Sequence, residues 1–172
     1  LGANTTGTQN TAVGKGALDS NTTAFNNTAI GYLAGQATTT GCGNTDLGSH
    51  AMYTNTTGCR NTASGYYALF KNTTGGYNVA TGYQAMRCNT TSSYNTAHGA
   101  YALYLNTTGS WNTATGMCTL GKNTTGYRNA AHGYRTMECN TTGAWNSASG
   151  AYALMCNTTG GQNTGMGYCA LE

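Results

Sequence analysis

The chain is expected to fold as an all-β protein, a parallel β-solenoid (β-roll or β-helix) of about ten coils. Two observations predict it. One 17-residue unit recurs from Leu1 to Glu172 without insertion or deletion, and a fixed short period is the signature of a stacked repeat architecture. The unit, N-T-T-G-x-x-N-T-A-x-G-x-x-A-L-x-x, carries two glycines. It is too short for a helical repeat, which needs ~30 to 45 residues rich in helix formers. Short strands and turns remain.

The elements follow in the order of the unit, with its places numbered from one to seventeen. Asn-Thr-Thr opens it at Asn4 and returns at Asn21, Asn55, Asn72, Asn89, Asn106, Asn123, Asn140 and Asn157, with Thr38 at the one remaining position. Glycine at places four and eleven is expected to supply the positive φ of tight corners. Place eleven is glycine from Gly14 to Gly167 without exception, whereas place four admits Ala24 and Ser92 and is the less strict corner. Thr and Val between them favour extended backbone.

Place seven is Asn in every unit: Asn10, Asn27, Asn44, Asn61, Asn78, Asn95, Asn112, Asn129, Asn146 and Asn163. Stacked amides at a coil corner can bond to one another and satisfy polar groups that a turn would strand. Alanine at places nine (Ala12, Ala29, Ala63) and fourteen (Ala17, Ala34, Ala51) marks a narrow interior. Place fifteen, with Leu18, Met52, Leu69, Met86, Leu103, Leu120, Met137, Leu154 and Leu171, is the inward apolar ladder, broken only by Gly35. One unit per coil brings like side chains to the interstrand spacing of ~4.8 Å and gives a rod of roughly 50 Å. A single Leu or Met per coil is little apolar burial, so stability is expected to grow with the number of stacked neighbours. Residues 1–172 form one array, and both ends cut through a unit, as in a slice of a longer array.

Composition excludes several classes of function. Charged residues are 6% of the chain, against about a quarter in ordinary globular domains. The net charge of +3 is too small to point to nucleic acid. No apolar run reaches the ~20 residues of a membrane span, so membrane insertion is not expected. The four acids, Asp19, Asp46, Glu138 and Glu172, stand apart from one another in the ladders. No nucleophile, base and carboxylate constellation is present, so neither an enzyme nor a cofactor is expected. The cysteines lack the C-x-x-C spacing of a zinc site.

Asn-Thr-Thr is also an N-glycosylation sequon. It occurs at Asn4, Asn21, Asn55, Asn72, Asn89, Asn106, Asn123, Asn140 and Asn157, and Asn26-Asn27-Thr28 is a further one. Either these asparagines carry glycans or they form a corner ladder like place seven. Seven cysteines are many for a reducing compartment. Cys42 and Cys59 share place five of adjacent units, and Cys139 and Cys156 share place seventeen, so stacking brings each pair within disulfide reach. The alternative is a set of free thiols. His98 and His132 share place ten, two coils apart; they are either exposed or meet their copies at a symmetry axis. Tyrosine and tryptophan concentrate at the variable places six, twelve and thirteen. They serve either as a contact surface for sister chains or sugars, or as cover for narrow corners.

The segment N-T-A-x-G-x-x-A-L, seen at Asn27-Thr28-Ala29-Ile30-Gly31-Tyr32-Leu33-Ala34, resembles the head repeats of trimeric autotransporter adhesins. The whole unit resembles repeats of phage tail-fibre proteins over all ten units. The resemblance implies a parallel β-roll, often a homotrimer, that holds an adhesive tip away from a surface. In those relatives place ten is branched, apolar and turned to the trimer axis. Here it reads Val13, Ile30 and Leu47, then Ser64, Thr81, His98, Thr115, His132 and Ser149, and finally Met166. The expected function is a structural component of a fibre or stalk that is extracellular, on a cell surface or on a virion surface. Its expected partners are copies of itself, in a homotrimer or a longitudinal filament, and surface glycans. An ice-binding solenoid is the alternative, with Thr113-Ala114-Thr115 as the fragment of a threonine face.

Overall fold

A computed structural model describes residues 1–171. Every unit places one three-residue strand at places eight to ten: β1 (Thr11–Val13), β2 (Thr28–Ile30), β3 (Thr45–Leu47), β4 (Thr62–Ser64), β5 (Val79–Thr81), β6 (Thr96–His98), β7 (Thr113–Thr115), β8 (Ala130–His132), β9 (Ser147–Ser149) and β10 (Thr164–Met166). The strands form one ten-stranded sheet in chain order. Each pair is parallel and offset by one unit, as in Thr11 with Thr28 and Ala12 with Ala29. Among the described residues there is no helix. The chain is a parallel β-solenoid that completes one coil per 17-residue unit.

The strand exists because its three places alternate. In β2, Thr28 is half-buried, Ala29 buried and Ile30 exposed, the period of two that one buried face requires. It ends at place eleven. Gly31 has φ +144°, and a Cβ there would lie 2.6 Å from the carbonyl carbon of Gly48 in the next coil. Only glycine permits that approach together with that dihedral.

Place four behaves differently from the positive φ expected of it. Its glycines have no left-handed φ, and crowding excludes a side chain instead: a Cβ on Gly58 would lie 2.4 Å from both Asn55 Oδ1 and the Gly75 carbonyl. Ala24 takes the same place, its N–H donating to Asn21 Oδ1 at 3.0 Å, and nothing in the structure explains why a methyl is tolerated there. Ser92 is tolerated because its hydroxyl joins the amide ladders, accepting from Asn95 Nδ2 at 2.9 Å and Asn106 Nδ2 at 3.0 Å.

The left-handed residues are at places six, thirteen and fifteen, and most carry side chains. Trp111 (φ 59°), Tyr101 (φ 59°) and Leu103 (φ 51°) represent the three places. Such a conformation costs an L-residue about 1–2 kcal/mol. Bonds between coils offset it: Leu103 N donates to Thr119 O at 3.0 Å, and Tyr101 N to Tyr83 O at 3.0 Å.

The interior is lined by places one, four, seven, nine, fourteen and fifteen. Leu18, Met52, Leu69, Met86, Leu103, Leu120 and Met137 are fully buried, and Leu154 nearly so. This apolar column is split in two. Ala17, Leu18, Ala29 and Ala34 form one cluster, and the other begins at Ala51 and Met52. The gap is where Gly35 replaces the ladder's Leu or Met and Asp46 replaces alanine at place nine of the next coil.

Candidate functional site

The two asparagine ladders bond in different ways. At place one, amide stacks on amide: Asn72 Nδ2 donates to Asn55 Oδ1 at 2.9 Å and Asn89 Nδ2 to Asn72 Oδ1 at 2.8 Å, and the row continues through Asn106, Asn123, Asn140 and Asn157. The second amide hydrogen goes to the place-four carbonyl of the same coil, as from Asn72 to Gly75 O at 2.9 Å. Asn21 reaches Asn4 at 3.3 Å, and Thr38 interrupts the row. At place seven, Oδ1 accepts the backbone N–H of the next asparagine, as from Asn44 to Asn27 at 2.8 Å, while Nδ2 donates to the next coil's place-four carbonyl. The same bond from backbone N–H to Oδ1 runs from Asn10 through Asn61, Asn78, Asn95, Asn112, Asn129, Asn146 and Asn163.

This arrangement sorts the sequons. Asn21, Asn55, Asn72, Asn89, Asn106, Asn123 and Asn140 are buried. A glycan on their nitrogens and the ladder they form exclude each other. Asn4 and Asn26 face solvent, and Asn157 is half-buried.

Of the two same-register cysteine pairs, the structure brings one together. Cys42 Sγ lies 2.9 Å from Cys59 Sγ, and the Cys42 N–H points at the same sulfur at 3.0 Å. Their hydrogen bond pushes the Cys42 thiol up from its ordinary value, with burial adding to the shift. Cys139 and Cys156 make no such contact; Cys139 Sγ lies 3.8 Å from Lys122 Nζ, and Cys156 is exposed. No disulfide joins either pair in this structure.

Asp46 is fully buried, and neither carboxyl oxygen has a hydrogen-bond partner. Burial holds its carboxyl well above the usual carboxylate range. Gly35 makes room for it: a Cβ at residue 35 would lie 2.4 Å from Asp46 Oδ2. In the sequence, Asp46 is one of the isolated acids and Gly35 a gap in the leucine column. That the two departures face each other follows from place fifteen of one coil packing on place nine of the next, as Leu154 does on Gly165.

Four outward rows stand out on the surface. Threonine at place three is exposed in every coil, from Thr6 to Thr159, and its hydroxyl makes no hydrogen bond among the described residues. The strand face shows places eight and ten, with Val13 56% exposed, Ile30 44% and Leu47 38%; His98 and His132 are exposed on the same face. Place six carries a continuous stack. Arg60 lies over Tyr77, Tyr77 on Tyr94 with ring centroids 5.0 Å apart, and Tyr94 on Trp111 at 5.7 Å; Arg128 lies 4.3 Å over Trp145. Each of these residues is left-handed. Gly43 and Asn26 at the same place are the only hint of that dihedral in the sequence.

The fourth row joins places twelve, thirteen and sixteen. His50 stacks on Tyr67 at 4.8 Å, Tyr53 on Phe70 at 5.3 Å, and Arg87 spreads over Tyr67, Phe70 and Tyr104. Its continuity breaks at Gly121, where a notch of ≈ 360 Å³ opens.

No family model, curated protein or solved structure matches the chain.

Proposed function

We propose that the chain is the shaft of a structural fibre or stalk, displayed outside a cell or on a virion, in which the solenoid supplies length and its outward rows make lateral contacts with sister chains. One observation carries the reading. Each 17-residue unit adds one strand to the same sheet in the same register, so additional units lengthen the rod by ~4.8 Å each without changing its cross-section. Bonds of every coil run to its nearest neighbours, which makes stability cumulative along the axis. The apolar stripe of Val13, Ile30 and Leu47 and the aromatic rows favour side-by-side association, and the Thr, Tyr and Trp surface suits glycan contact. Asn26, exposed and in a sequon, is the position best suited to carry a glycan itself.

The test is length and mass. Chains of five and ten units, followed by small-angle scattering and light scattering, are expected to differ in rod length by about 24 Å and to assemble into oligomers or filaments. A length that does not follow repeat number, or a monomer at every concentration, refutes the proposal. Ice binding is the second reading, favoured by the unbroken exposed threonine row at place three. Thermal hysteresis at micromolar protein would carry it, and its absence would remove it.

A further inference from the structure

Place sixteen reads Tyr53, Phe70, Arg87, Tyr104, Gly121 and Glu138 in successive coils. Four coils running put a flat group there, and the fifth puts nothing. The missing side chain leaves a slot one coil high. Its roof is the ring of Tyr104, covered from the preceding coil by the Arg87 guanidinium, which donates to the Tyr104 hydroxyl at 3.2 Å. No side chain covers that ring from Gly121. One wall is Tyr101, edge-on to Tyr104 at 5.6 Å, continued by Cys118; the other is Leu105 and Lys122. The floor is Glu138.

Roof and floor lie two coils apart, roughly 9.6 Å. That is the separation at which one planar ring fits between two neighbours at the stacking distance already used by Tyr53 and Phe70, 5.3 Å. Gly121 has no left-handed φ, and a Cβ there would lie 3.1 Å from the Cys118 carbonyl oxygen.

Charge selects among rings. The Glu138 carboxylate is paired with Arg135 Nε. Lys122 has no acidic partner among the described residues; its ammonium contacts Cys139 Sγ at 3.8 Å, and it stands exposed at the slot's edge. An unpaired cation beside an apolar, ring-shaped gap complements a flat ring that bears one negative charge. We infer that the notch at Gly121 binds a small aromatic carboxylate, its ring stacked under Tyr104 and its carboxylate on Lys122.

The probe is 4-hydroxybenzoate, titrated into the 172-residue chain and followed by saturation-transfer NMR. Cyclohexanecarboxylate, which has the charge without the flat ring, and p-cresol, which has the ring without the charge, are run beside it. Saturable binding of 4-hydroxybenzoate on the order of 1 mM or tighter is expected, with each control about fivefold weaker or more, the discrimination that one lost charge or stacking contact of about 1 kcal/mol gives. Gly121→Tyr, which fills the slot from within, should abolish binding, and Lys122→Gln should weaken it severalfold. Circular dichroism establishes that each variant folds. Where Gly121→Tyr does not fold, Tyr104→Ala, which removes the roof, answers the same question. Absence of saturable binding, equal binding of cyclohexanecarboxylate, or binding unchanged by filling the slot overturns the assignment.

Discussion

Returning two departures in adjacent coils to the repeat's own pattern tests how the interior is held. The positions are Asp46, at a place that is otherwise Ala or Gly, and Gly35, at a place that is otherwise Leu or Met. Burial penalises the charged form of Asp46 and raises its carboxyl well above the usual range, and no group bonds either oxygen. Burying that carboxyl destabilises the rod, and its unmade hydrogen bonds alone cost on the order of 1–3 kcal/mol. Asp46→Ala should therefore stabilise the rod at pH 7 by on the order of 1–3 kcal/mol or more. Gly35→Leu depends on what faces it. With Asp46 present, its Cβ would fall 2.4 Å from a carboxyl oxygen, and overpacking costs about 1–3 kcal/mol. In the Asp46→Ala background, the leucine enters a column whose neighbours Leu18 and Met52 share its left-handed backbone and adds about 1.5–3 kcal/mol. The substitution at residue 35 should change sign with the residue at 46.

The same group sets a pH dependence. A folded carboxyl raised above its unfolded value contributes most at low pH, below the unfolded value, and its contribution is lost as pH rises through the folded one. The natural chain should gain stability as the pH falls from neutral to about 4.5, near the ordinary carboxylate range, and Asp46→Ala should remove most of that slope. Urea unfolding of the four members of the cycle, followed by circular dichroism at both pH values, reads out both effects. A destabilised Asp46→Ala chain, or a Gly35→Leu effect of the same sign in both backgrounds, would refute the reasoning.

Further expectations concern the ladders. Asn72→Ala removes the middle of the place-one row and strands Asn55 Oδ1, while the Gly75 carbonyl keeps its bond from Asn61; a loss on the order of 1–3 kcal/mol is expected, seen as a lower midpoint in the same denaturation. Gly82→Ala puts a Cβ 2.7 Å from the Gly99 carbonyl at φ +133° and should abolish cooperative unfolding or drop the midpoint more than Ala→Gly at any place nine. Mild oxidation should join Cys42 to Cys59 before any other pair, since their sulfurs already touch. The bond closes a 17-residue loop worth about 3 kcal/mol. Peptide mapping after alkylation identifies the pair, and a first disulfide between Cys139 and Cys156 would contradict the observed contacts.

The period alone determined the architecture, because 17 residues with no insertion allow only one register when each coil stacks on the last. The buried Leu and Met column was readable for the same reason: identical residues at one place must lie above one another. The left-handed backbone at places six, thirteen and fifteen was not readable. Tyr101, Leu103 and Trp111 are poor choices for that dihedral by local preference, and only the hydrogen bonds they make to neighbouring coils offset the cost. Nor was the facing of Gly35 and Asp46, eleven residues apart in the chain, or the slot at Gly121. Each depends on which places of neighbouring coils meet across the interior or along the surface. That juxtaposition is a property of the wound chain, set by how each coil turns its corners, and no single unit of the repeat contains it.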